Sequence, residues 1–287
     1  MMFFEPFFAA AYIAVAVAGA SAVPNTQGNL FGCGTPAMNE SQKAVVQEML
    51  MQETQIRAHN AASINVETYI HIVAVNKTRA GGYIDRPTVI QQVKVLNDNF
   101  APSGISFTLR DIDWTIDSDW SENRDEATMK EKLRKGTYST LNLYYVVSLG
   151  GSSLGVCYYP LDALPGSGAF QRDGCSILHT TVPGGSLTNY NEGKTTTHEV
   201  GHWFGLVHTF GEFGNGCYGN GDYVDDTPAQ KARSKGCPTG IDTCPDLPGL
   251  DPIHNYMDYS YDSCYEEFTA GQMTRMKNMW AKYRQGQ

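Results

Sequence analysis

Three histidines and a glutamate fall within eleven residues, in the stretch HEVGHWFGLVH that begins at His198. On a helix, His198 and His202 lie one turn apart on one face, with Cβ atoms ~5–6 Å apart. Two imidazoles so placed suit one tetrahedral zinc ion. Glu199 faces a water on that metal rather than the metal itself, the position of a general base. Gly205 lies one turn beyond His202, where a glycine can take a positive φ, end the helix and turn the chain. The turn lets His208 return as a third ligand. Three neutral nitrogens with an open fourth position describe a catalytic zinc site, and a closed structural site has no use for a base. At ordinary residue frequencies the pattern arises by chance in roughly one chain in 10⁴.

The preceding sequence supplies the elements that must hold this helix. INVETYIHIVAV from Ile64 reads as a strand. A helix follows, with Pro87 in its first turn and Ile90, Val93, Leu96 and Phe100 at helical spacing. ISFTLRDID from Ile105 is a second strand, residues 124–136 a helix stopped by Gly136, and LNLYYVVSL from Leu141 a third strand. Strands alternating with helices predict an α/β fold with a mainly parallel sheet. From Ser148 to Gly193 helix signals vanish, leaving two short strand-like pieces, LGVCYYP and CSILHTTV. Residues 211–264 are nearly free of periodicity, and so long a loop needs a functional reason or covalent staples. The chain closes on a helix with a Thr269–Gln272 capping box and an apolar face of Met273, Met276, Trp280 and Tyr283.

The N-terminus reads as a targeting segment. Phe7 to Gly19 is almost wholly apolar and is followed by Ala20-Ser21-Ala22, which suits a signal peptidase cut, so residues 1–22 are a signal peptide and the protein is secreted. The run is shorter than the ~20 residues of a membrane span. Residues 23–62 read as a leader: a loop, then a polar helix from Ser41 to Asn60 with Val45, Met49 and Ile56 on one side, with a processing region around Arg57. The folded domain spans 63–287. Secretion places the seven cysteines in an oxidising compartment and makes the sequons at Asn39 and Asn76 candidate glycosylation sites. With 21 basic and 30 acidic side chains the net charge is −9, which argues against nucleic acid and anionic membranes as partners. Asp222, Asp225, Asp226 and Thr227 crowd oxygen ligands onto a tight loop, a pattern that suits calcium.

H-E-x-x-H-x-x-G-x-x-H is the metzincin motif. With GDYVDDTP, NYMDY and FTAGQMTRM further on, the chain closely resembles the pappalysin family, densely from Tyr190 to Met276 and only slightly in the leader. The resemblance implies a monomeric secreted zinc endopeptidase acting on proteins or peptides. It implies an upper α/β half ending at the zinc helix and a lower irregular half with a methionine turn and C-terminal helix. Met257 would be the turn methionine, Tyr259 a donor to the oxyanion, and the strand in SSLGVCYYP the edge to which substrate adds. It also strengthens the expectation of calcium. Seven cysteines pair in roughly a hundred ways, so spacing decides nothing. The resemblance suggests interleaved Cys217–Cys244 and Cys237–Cys264 bridges, leaving Cys157–Cys175 as a third. Cys33 is then left over in the leader, and a thiolate is a good fourth zinc ligand, which makes it a candidate latency switch. A zinc-binding module without proteolytic activity is the rival reading. Glu199 argues against it.

Overall fold

The computed structural model describes Met1 and residues 32–53, 63–211 and 216–287. The signal peptide, most of the loop after it, Ile56 and the processing region around Arg57 lie outside the described residues. Among the described residues no helix is long and apolar enough to cross a membrane.

The elements are α1 (Glu40–Glu53), β1 (Ile64–Ala74), α2 (Arg86–Phe100), β2 (Ile105–Ile116), α3 (Ser118–Ser121), α4 (Glu126–Leu133), β3 (Leu141–Val146), β4 (Gly155–Cys157), α5 (Gly168–Arg172), β5 (Cys175–Leu178), α6 (Lys194–Trp203) and α7 (Ala270–Tyr283). The strands form one sheet in the order β2-β1-β3-β5-β4. All neighbours are parallel except β4, which runs antiparallel to β5 and forms an edge. Parallel strands need both faces covered, which explains why β3 is buried at every position.

Helix α2 starts where Asp85 accepts the Thr88 amide at 2.9 Å and Pro87 sets the first turn. Its inward face is the predicted one at Leu96 and Phe100 but not at Ile90. Val89, Gln92, Leu96 and Phe100 are buried, whereas Ile90 is exposed and Val93 only partly covered. The reason is polar: Gln92 donates to the Gly193 carbonyl at 2.9 Å, joining α2 to the start of α6. Hydrophobic spacing cannot register such a contact. Between β4 and β5 the chain forms one short helix that the sequence reading missed, α5, capped by Ser167 at 3.2 Å.

Between Phe204 and Thr269 regular structure is nearly absent. Two disulfides, Cys217–Cys244 and Cys237–Cys264, tie this half together, and Cys157–Cys175 joins β4 to β5. Each stabilises chiefly by constraining the unfolded chain, by ~3–4 kcal/mol in the chain-entropy model. The capping box expected at Thr269 and Gln272 starts α7. Its inward residues are Gln272, Arg275, Met276, Met279 and Tyr283, with Met273 and Trp280 partly covered. The main core lies between the sheet, α2, α6 and the lower half. A smaller one joins α1 to α7 through Met38, Val46, Met49, Met279 and Tyr283.

Candidate active site

Helix α6 is positioned from several sides. Tyr145 of β3 bonds Thr196 at 3.0 Å, and Asn99 of α2 donates to Thr197 at 2.8 Å. At the far end the Trp203 indole donates to Asp173 at 3.1 Å, and Arg284 joins Asp173 to the Trp203 carbonyl. Gly205 then takes φ 88° and turns the chain as its position predicted. A side chain there would strike Met279, with a Cβ 2.7 Å from its Cγ.

The three histidines converge. His198 Nδ1 sits 2.7 Å from the Tyr256 carbonyl, and His202 Nδ1 2.7 Å from the Leu206 carbonyl. A carbonyl only accepts, so each Nδ1 carries the proton and each Nε2 presents a lone pair. Yet the Nε2 atoms of His198 and His208 each lie 3.2 Å from that of His202. Converging lone pairs repel unless a cation sits among them. Nitrogens ~2.0–2.1 Å from a tetrahedral zinc are ~3.3–3.4 Å apart, so the spacing fits that ion. Burial pushes His198 down to about 4 and holds His202 and His208 well below the ordinary imidazole range, keeping all three neutral.

Cys33 completes the cluster: its sulfur and one nitrogen from each histidine lie within 4.8 Å of one another. It is the free cysteine among the described residues. Its sulfur is 3.3 Å from Glu199 Oε2, and its amide donates to the Tyr259 hydroxyl at 2.7 Å. Burial and the adjacent Glu199 push the thiol up, and a dication at the centre would pull it down. Burial likewise lifts Glu199 to about 8. The segment holding Cys33 lies along β4, where Gly34 N donates to Gly155 O at 2.8 Å and Leu154 N to Gly32 O at 2.9 Å. Thr35 escaped the sequence reading. Its hydroxyl is 2.9 Å from the Cys33 sulfur, 3.3 Å from Glu199 Oε2 and 3.0 Å from the Cys157 amide. Its place two residues after Cys33 was the available signal.

Met257 is fully buried beneath α6, and a Cβ on Gly201 would lie 2.4 Å from its sulfur. The sulfur packs against the helix at Gly201, which lies between His198 and His202. The Tyr259 ring stands 5.0 Å from that of His208.

On the acidic loop the four candidates separate. Asp222 is buried, accepts from Val224 N at 3.0 Å and faces the Thr227 hydroxyl, and among the described residues its Oδ2 and Thr227 Oγ1 have no further hydrogen-bond partner. Asp225 is exposed. Asp226 spends its carboxylate on the start of α7, accepting from Thr269 Oγ1 at 2.7 Å and Gly271 N at 2.8 Å.

Comparison with known proteins agrees with this geometry. The family model for pregnancy-associated plasma protein-A peptidases matches residues 152–281. An extracellular metalloprotease of Neurospora crassa is 52% identical over 258 residues, covering 88% of this chain and 89% of its own. The chain belongs to this pappalysin family. A second extracellular metalloprotease, from Verticillium alfalfae, is 48% identical over 99% of this chain and 100% of its own. Among solved structures, mature mirolysin of Tannerella forsythia with a cleaved peptide matches at TM-score 0.63 and 27% identity, over 77% of this chain and 92% of that one. A promirolysin mutant of the same organism matches at TM-score 0.66 and 26% identity, over 84% and 87%. This pappalysin is thus a secreted zinc metalloendopeptidase with the metzincin fold.

Proposed function

We propose that His198, His202 and His208 hold the single catalytic zinc ion, that Glu199 is the general base, and that residues 23–62 are a pro-segment keeping the enzyme latent through Cys33. Bound zinc supplies a water acidified towards neutrality and a polarised scissile carbonyl. The remaining steps belong to the chain. Glu199 takes the water proton and delivers it to the leaving amine. The Tyr259 hydroxyl, which meets the Cys33 amide, donates to the oxyanion. Leu154 N, just before the edge strand β4, and Gly155 O within it, both engaged by the leader, bond an extended protein or peptide substrate.

One observation carries this reading: the Cys33 sulfur lies within 4.8 Å of a nitrogen of each of the three histidines, where it could serve as a fourth ligand, with Glu199 Oε2 3.3 Å away. A water in the sulfur's place falls within reach of the base. The same contact blocks the site in the precursor, and the greater coverage by promirolysin than by mature mirolysin supports it. Cys33→Ala is expected to give a precursor that cleaves casein before any processing, and a mutant as silent as the wild-type precursor refutes the latch. The buried Asp222 carboxylate and the Thr227 hydroxyl on one tight loop support a structural calcium site shared with Asp225, which Asp226 would join only by giving up its bonds to Thr269 and Gly271. Asn39 and Asn76, both exposed, are proposed glycan carriers. A monomer acting on protein and peptide substrates, with residues 1–22 removed on secretion, completes the reading.

A further inference from the structure

The N-terminal segment grips the body at a second place, through contacts that reach α7. Ahead of and along α1, Met38, Val46 and Met49 are buried with Tyr159, Val207, Met279 and Tyr283. At the end of α1 the Glu53 carboxylate accepts from Arg275 Nε at 3.1 Å, Arg275 Nη2 at 2.8 Å and Asn278 Nδ2 at 2.7 Å. The Arg275 side chain is 1% exposed and that of Glu53 11%. Among the described residues Glu53 is the carboxylate within ion-pair distance of this guanidinium.

Local preference does not explain the placement. Met49 and Leu50, one turn back on α1, offer Glu53 no cation, and its ion pair is instead with Arg275, 222 positions away. Arg275 and Asn278, three positions apart on α7, present a forked donor set that matches one carboxylate. The Arg275 guanidinium also donates to the Tyr223 carbonyl, tying the receptor to the Asp222–Thr227 loop.

We propose that Arg275 and Asn278 form a carboxylate-binding exosite on α7, that its ligand is Glu53 of the leader helix, and that this attachment, not the thiol alone, sets how long Cys33 stays seated. The proposal rests on the reading of Cys33 as a latch. Two contacts on one ordered segment reinforce each other, because a seated Glu53 keeps Cys33 at high effective concentration beside the zinc site. Loss of either shortens the residence of the other. Cleavage after α1 leaves this second grip intact, so the severed leader stays bound until Glu53 is released.

Cys33 is the free thiol among the described residues, so its alkylation reports leader docking without any activity measurement. The experiment uses zinc-loaded, full-length Glu199→Gln protein, which cannot process itself, and follows iodoacetamide labelling of Cys33. Glu53→Gln is expected to raise the labelling rate at least tenfold. Asn278→Ala, which leaves Arg275 paired, is expected to raise it severalfold. Equal rates in the parent and both variants overturn the exosite while leaving the latch standing. A parent rate that does not change when zinc is chelated overturns the latch, and the exosite falls with it.

Discussion

Gly201→Ala sets two effects of opposite sign against each other. Inside a helix the substitution ordinarily stabilises by ~0.5–1 kcal/mol, because glycine loses more freedom on folding. Here the new methyl would lie 2.4 Å from the Met257 sulfur and 3.3 Å from its terminal carbon. Met257 is fully buried, so its sulfur cannot swing into solvent. Overpacking of this kind costs ~1–3 kcal/mol. The net expectation is a loss of up to ~2 kcal/mol, with a larger effect on the metal. Residue 201 lies between His198 and His202, so a helix displaced to admit the methyl moves both proposed ligands. Competition against a chromogenic chelator should show zinc affinity at least tenfold weaker. Gly201→Ala combined with Met257→Ala should recover part of that loss, since the contact is removed from the other side. A Gly201→Ala protein with unchanged zinc affinity and a raised Tm would refute the idea that Met257 sets the height of the zinc helix.

Asp173→Ala removes the acceptor shared by Trp203 and Arg284 and leaves a buried guanidinium unpaired, at ~3–5 kcal/mol. A Tm lower by roughly 6–20 °C in calorimetry is expected, and a shift below 2 °C (well under ~1 kcal/mol) contradicts the network's role. Burial raises Asp222 to about 7, against ~3.9 when unfolded. Without calcium its contribution is full below pH ~4 and is lost as pH rises to about 7, because the folded state holds the proton more tightly. Calcium needs the carboxylate ionised, so its affinity should rise as pH approaches 7 and level off above. Calorimetry with and without calcium checks both trends, and Asp222→Asn should flatten them. Tyr259→Phe should lower kcat of the processed enzyme by ~100–1000-fold with KM little changed if the hydroxyl is the proposed oxyanion donor.

The three histidines proposed as zinc ligands were legible as a cluster because they obey local rules: four-residue helical spacing, then a glycine that turns the chain. The alternation of strands and helices, and with it a mainly parallel sheet, was legible from composition, but the strand order was not. What escaped is polar and distant. Gln92 faces inward where Ile90 was expected, because Gly193 needs a donor. On α1, Met49 is buried as expected, but beside it Val46 is buried and Val45 only partly covered, because the facing surface is α7. The bond between Glu53 and Arg275 spans 222 positions, and no periodicity signals such a pair. Thr35 was hidden by its ordinariness, since a threonine gains meaning only once Glu199 is seen beside it.

The central claim is that Glu199 works on a water held by a zinc site it does not itself build. The direct measurement pairs metal content with turnover in the processed Glu199→Ala enzyme. The account predicts one zinc per chain, as in the wild type, with peptide hydrolysis abolished. Casein cleavage at the wild-type rate would contradict it, and loss of zinc along with activity would make Glu199 a support of the metal rather than the base.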